Sequence, residues 1–350
     1  MSNDILQNPL TWHQAAWLNT IKQFRSGQMP HAYLLSAEAD TGKRLYAIML
    51  AQFLLCCSPG PQAACGSCPM CLLNKAGSNP DLLIVEPEDG SKIIKVEQIR
   101  DLKKFLETSS HSFGKRVIIL DSAENLGVSS ANALLKGLEE PPADVMFILL
   151  TDRPKAVLAT ITSRCQVISL PRPEREQSLA WLRIATNEAV TASNLSLLLD
   201  FAQGRPLAGK AMYESGTLEQ QQEMGDALLQ LLESRLHPCN LASRYAKTQT
   251  GDMLRLLLYW LNVLCKYQLT GAEEHLKSDT MRRISATLLN PAYDRDAHTR
   301  ALFSLYNEVV VAQTQLGSTS NPNAQLMLED LLMQLNRLVR MNSHNTSGLR

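Results

Sequence analysis

The sequence predicts an α/β domain built on a parallel sheet, followed by an all-helical remainder in a small and a larger group. Two observations lead there. Apolar runs of strand length at 32–35, 82–85, 117–120, 145–150 and 167–170 alternate with helical patterns at 42–56, 96–108, 129–138 and 154–161. Such alternation predicts a parallel sheet covered on both faces. After Pro171 and Pro173 the strand signal stops and only helical patterns follow.

Each later element has its own warrant. Pro154, after Arg153, suits the first position of a helix, where its missing N–H costs nothing. The small helical group covers 174–185, 195–202 and 207–213, punctuated by Gly204 and Pro206. The larger group covers 218–236, 253–269, 300–316 and 324–340. In the last of these, Leu326, Leu328, Leu331, Leu332, Leu335 and Leu338 fall mostly on one helical face. The final stretch, 341–350, is polar and expected to fray.

Composition narrows the function classes. The chain has 350 residues, too many for one ordinary core, so two or three domains are expected. It is 45% hydrophobic and 19% charged, an ordinary globular profile. Thirty-four basic residues balance 34 acidic ones. A surface that gripped DNA throughout would be basic, so any nucleic-acid contact must be local or made through partners. No secretory signal is visible, and the longest apolar suspect, 256–265, is about half a membrane span and is interrupted by Asn262. A cytoplasmic location with no membrane contact is expected. There, eight cysteines are not expected to form a disulfide framework.

The stretch Ala37-Glu38-Ala39-Asp40-Thr41-Gly42-Lys43-Arg44 follows a strand pattern and opens a helix, the context of a phosphate-binding loop of form G-x-x-x-x-G-K-[ST]. Gly42 and Lys43 fit it. Ala37 replaces the first glycine, and Arg44 replaces the hydroxyl that would hold Mg²⁺. Such a loop aims backbone N–H groups and a helix N-terminus at phosphate, so Asp40 brings a carboxylate where an anion should sit. A companion strand should end in two acids. Here it ends in Asp121 and Ser122, without the second carboxylate. No functional ATP site is expected, and Lys43 alone could still meet phosphate.

Cys65-Gly66-Ser67-Cys68-Pro69-Met70-Cys71 sets three thiols two residues apart, with Cys56 and Cys57 upstream. A fourth thiolate would close a tetrahedral zinc site, which soft ligands in a reducing compartment favour over disulfides. Reactive or buried free thiols, or an iron–sulfur cluster, are the alternatives. Cys165, Cys239 and Cys265 have no partner at metal spacing.

The stretch Asn132-Ala133-Leu134-Leu135-Lys136-Gly137-Leu138-Glu139-Glu140-Pro141-Pro142 closely resembles one shared by subunits of the bacterial DNA polymerase III clamp loader, of the AAA+ family. Ser163-Arg164-Cys165 resembles that family's Ser-Arg-Cys motif at matching spacing. His31-Ala32, Val96-Glu97-Gln98-Ile99-Arg100 and Asn321-Pro322-Asn323 are also similar. The resemblance covers roughly residues 12–173 and is less diagnostic beyond.

The resemblance implies a RecA-like AAA+ domain at 1–171 with an inserted zinc module at about 56–71, a small helical lid at 172–214, an all-α collar at 215–340 and a polar tail at 341–350. It assigns Cys56, Cys65, Cys68 and Cys71 to a structural Zn²⁺, leaving Cys57 spare. It implies that Arg164 is an arginine finger acting in trans on a neighbouring subunit's ATP site. The gamma and tau subunits of this family are motors with intact sites. Ala37, Asp40, Arg44 and Ser122 depart from them, as does Leu207 where a motor places a sensing arginine. These losses favour the delta-prime branch, a fixed stator. Implied partners are the gamma/tau motors and the delta subunit in a hetero-oligomeric ring, with the sliding clamp and primed DNA reached through the complex.

Two rivals stand beside this reading. An active gamma/tau-type motor ATPase is opposed by Arg44 and Ser122. A zinc-dependent DNA-binding protein is opposed by the neutral charge and by the 132–142 stretch. The basic groups Lys103, Lys104, Lys115, Arg116, Arg153 and Lys155 could touch phosphates, but such groups more often form a solvated face. No hydrolase constellation and no polymerase acid cluster is recognisable.

Overall fold

The computed structural model describes residues 7–88, 93–107, 115–188, 190–276, 279–289, 295–316 and 323–340. The polar tail and the residues Asn321 and Pro322 lie outside them. The chain divides into two compact units, Met1–Ser178 and Leu179–Arg350.

The first unit holds strands β1 (Ala32–Ser36), β2 (Leu82–Val85), β3 (Arg116–Leu120), β4 (Val145–Thr151) and β5 (Gln166–Ser169). They form one sheet in the order β2-β3-β4-β1-β5, every pairing parallel. The apolar runs at 117–120 and 145–150 become the central strands β3 and β4, buried along their whole length. A strand covered on both faces needs this continuous aliphatic character. The edge strands β2 and β5 expose Ile84 and Val167.

The pleat divides the apolar side chains between two faces. Tyr33, Leu35, Val117, Ile119 and Ile148 pack with α1 (Gln14–Arg25) and α2 (Lys43–Leu55) through Trp17, Tyr46, Leu50 and Phe53. After α3 (Pro69–Ala76) the chain supplies α4 (Val96–Glu107) and α5 (Val128–Glu139). These cover the other face, with Ile99, Leu102, Leu134 and Leu138 against Leu34, Ile118, Phe147 and Leu149. A Cβ on Gly137 would stand 3.0 Å from Leu106 Cδ1 and 3.4 Å from Phe147, so α5 approaches its neighbours as closely as glycine allows.

One expected helix is corrected. The 154–161 pattern is a 3-10 turn, Pro154–Ala156, and a single-turn helix, α6 (Ala159–Thr162). Pro154 does open the turn, but Val157 and Leu158 are extended, with ψ of 137° and 134°. Burying Val157 takes precedence over continuing the helix. α1 and α3 were not expected, because one lies before the first strand and the other inside the cysteine module.

Helix α7 (Arg175–Ala185) crosses the division between the units. The second unit continues with α8 (Ala192–Phe201), α9 (Pro206–Glu214), α10 (Thr217–Leu232), α11 (Pro238–Tyr245), α12 (Thr250–Thr270), α13 (Asp279–Leu288), α14 (Arg295–Leu316) and α15 (Ala324–Arg340). Leu182, Leu195, Leu198 and Leu218 form a small cluster. A larger core joins α10 to α15, including Leu328, Leu332 and Leu335 of the last helix. The apolar stretch 256–265 is the middle of α12, where Leu257, Leu261 and Leu264 are buried. Among the described residues no helix is long and apolar enough to cross a membrane. Helices α11 and α13 were missed, one being eight residues long and the other rich in polar residues.

Candidate functional site

The phosphate-type loop lies between β1 and α2, at the C-terminal ends of the strands, where ligands of open α/β sheets sit. Gly42 caps α2 with φ of 109°, a value that favours glycine, and Asp40 is left-handed at φ 56°. Aspartate is one of the few residues that tolerate this conformation.

The loop's cations are engaged within the chain. Lys43 pairs with Asp152 at the end of β4. Arg44 donates to Asp121 Oδ2 at 2.7 Å and also pairs with Glu86 just beyond β2. Burial opposes the charge on Arg44, but the hydrogen bonds and fields of Glu86 and Asp121 raise its pKa above the ordinary arginine value. Ser122 is left-handed at φ 61°. Its hydroxyl lies 3.5 Å from Asp121 Oδ1.

The segment before α1 covers the loop. Trp12 Nε1 donates to the Thr41 carbonyl at 2.8 Å. A Cβ added to Gly42 would fall 2.2 Å from Leu10 Cδ1 and 3.2 Å from His13 Cε1. His13 is buried with Nε2 unpartnered, and burial lowers its pKa to about 4. The imidazole is therefore neutral at physiological pH. Leu10, Trp12, His13, Glu86 and Asp152 are site residues that sequence reading missed. None lies in a recognisable motif; strand order brings Glu86 and Asp152 to the loop, and packing of the segment before α1 brings Leu10, Trp12 and His13.

Arg164 stands just beyond α6, with its side chain about one-third exposed. Its Nη2 donates to Glu139 Oε1 at 2.6 Å. Its Nη1 donates to the Thr160 carbonyl at 2.8 Å and lies 3.3 Å from Ser163 Oγ. The two stretches singled out in the sequence, 132–142 and 163–165, thus meet through one ion pair.

The sulfurs of Cys56, Cys65, Cys68 and Cys71 lie within 4.8 Å of one another, and all four cysteines are free. The Cys56–Cys68 and Cys65–Cys71 separations are both 3.9 Å. Tetrahedral metal–sulfur bonds of about 2.3 Å place sulfurs about 3.8 Å apart, so the donor set fits a closed four-thiolate centre. A disulfide would need about 2.05 Å. Cys68 caps α3, accepting the Cys71 N–H, while Cys56 accepts from Cys65 N at 3.2 Å. Backbone N–H groups of Ser67 and Cys68 lower the Cys65 thiol to about 6, in the direction of the thiolate a metal requires. Burial raises the Cys56 and Cys71 thiols above the ordinary range. Cys57 is exposed and outside the group.

Of the basic groups, Arg116 is withdrawn from any surface role. It is buried, forks onto Asp144 with bonds of 2.6 and 3.0 Å, and donates to the Phe105 carbonyl at 2.6 Å. Lys104 pairs with Asp101, and Arg153 bonds Asn125.

A family model described as "DNA polymerase III, delta subunit" matches residues 12–174, and one described as "DNA polymerase III, delta subunit, C terminal" matches 215–337. The DNA polymerase III subunit delta-prime of Pseudomonas aeruginosa is 33% identical over 323 residues, 92% of this chain and 96% of that one. The subunit delta-prime of Escherichia coli K12 is 27% identical over 326 residues, 93% of this chain and 94% of that one. The subunit tau of Salmonella typhimurium is 36% identical over 162 residues, 46% of this chain and 25% of that one.

Proposed function

The chain belongs to the family of DNA polymerase III delta-prime subunits, and from that premise we propose that it is the non-hydrolysing stator of a clamp loader. In that role it helps motor subunits of the gamma/tau type, with a delta subunit, open a sliding clamp and place it on primed DNA. The observation that carries the non-hydrolysing part is the engagement of both loop cations by the chain's own carboxylates, Lys43 by Asp152 and Arg44 by Asp121 and Glu86. Arg44 puts a fixed positive charge beside the acid that would help hold Mg²⁺ in a working site, and Leu10 leaves little room above Gly42. A nucleotide would have to displace these contacts before meeting Lys43.

Arg164 supplies the activity the chain contributes to its neighbours. Inserted into an adjacent motor's ATP site, a guanidinium stabilises charge developing on the transferred phosphoryl group, an effect of about 10³–10⁵ in rate in well-studied fingers. The four cysteines hold a structural Zn²⁺ that ties the segment between α2 and α3 into one module. It offers no open coordination position, so its role is folding rather than chemistry. Helices α7–α9 serve as the lid and α10–α15 as the collar that joins subunits.

The test is a clamp loader reconstituted with Arg164→Ala. Normal assembly with clamp- and DNA-stimulated ATPase reduced by about 100-fold or more is expected. Normal assembly with undiminished ATPase would remove the finger from the mechanism.

A further inference from the structure

We propose that Glu139 is the positioning residue of the Arg164 finger, holding the guanidinium in the orientation in which it meets a neighbouring subunit's phosphoryl group. This rests on the arginine-finger reading above.

Three observations carry it. The first is the hydrogen-bond inventory of Arg164. A guanidinium has five N–H donors. Glu139 takes one from Nη2, and the Thr160 carbonyl and Ser163 hydroxyl lie on Nη1. Among the described residues the Nε–H and one Nη2–H have no partner, which leaves two donors for phosphoryl oxygens without breaking the Glu139 bond. Guanidinium recognises phosphate through such paired donors.

The second is the place of Glu139 on its helix. It is the last residue of α5, where a carboxylate opposes the helix dipole. Helix stability gives no reason for an acid there, whereas the guanidinium of Arg164 does. The third is rigidity. Leu134 and Leu138 bury α5 against the sheet, and Gly137 sets it close to Phe147. Glu139 therefore extends from a fixed element, and the ion pair transfers that fixity to a side chain just beyond the one-turn helix α6. The pair itself is half-exposed, at 34% and 49%, so it contributes little to folding and its functional effect is separable.

The experiment compares clamp loaders reconstituted with wild-type chain, Glu139→Gln, Glu139→Ala, Arg164→Ala and the double variant Glu139→Gln/Arg164→Ala. Mg-ATP turnover is measured with sliding clamp and primed DNA, alongside melting of each isolated chain. Glu139→Gln and Glu139→Ala are expected to lower kcat roughly tenfold. KM for ATP and the melting temperature should not change. In the Arg164→Ala background, loss of Glu139 should have no further effect. Wild-type or faster turnover in both Glu139 variants, while Arg164→Ala is slow, would overturn the positioning role and leave the finger standing. So would a Glu139→Gln loss that persists undiminished without Arg164. Wild-type turnover by Arg164→Ala would instead remove the finger reading, and the positioning role with it.

Discussion

At the scale of single residues, charge and burial decide more than type. Arg44 takes the place of a magnesium-binding hydroxyl and turns the site inward, onto Asp121 and Glu86. His13 shows a second effect. Its folded pKa, about 4, lies below the ordinary value of 6.5 because its charged form is desolvated. The unfolded chain then binds more protons between those values, and stability rises with pH across the interval. The contribution is complete above pH 6.5 and is lost as pH falls towards 4, on the order of 3 kcal/mol. Urea titrations should show this loss, and His13→Phe should flatten it. Among the cysteines, Cys68 both lies in the metal-fitting group and caps α3. Mass spectrometry should find one zinc per wild-type chain and none in Cys68→Ala, which should also melt at lower temperature. An unchanged metal content would exclude Cys68 as a ligand.

At the scale of elements, β3 and α5 do most to position the site. β3 begins at Arg116, whose fork on Asp144 and bond to the Phe105 carbonyl tie the start of β3 to the start of β4 and the end of α4. Asp144→Asn leaves a buried cation short of its partner and should cost about 1–3 kcal/mol in urea unfolding. The hydrogen bond from Arg116 also holds the Asp144 carboxyl below the usual carboxylate range. Its contribution is complete above the unfolded value of about 3.9 and is lost as pH falls through the lower folded value, a window below that of His13. α5 carries residues 132–139 of the 132–142 stretch and ends at Glu139, which bonds Arg164. The apolar spacing of this helix was legible in sequence, but the bond from Glu139 to Arg164 was not, since 25 residues separate them. The break at Val157 was equally hidden, because it follows from burial of one side chain rather than from local propensity.

At the scale of the molecule, one unit carries the sheet, the cysteine centre and Arg164, while the other is helical throughout its described residues. Calorimetric titration of the isolated chain with Mg-ATP should give no binding at millimolar nucleotide. Tight, magnesium-dependent binding would mean that the loop's internal ion pairs yield to phosphate, and would make a motor ATPase the better reading. The sequence by itself determined the five strands and the main helices, because periodicity and length are local properties that survive without neighbours, and the alternation of the two pointed to parallel pairing. It also set out the cysteine spacing, since thiols close in sequence are readily brought close in space. Only the tertiary structure decided which carboxylates meet Lys43, Arg44 and Arg164, and that Arg116 is buried. Those contacts join residues 25 to 109 positions apart, and strand order, not local sequence, sets such distances.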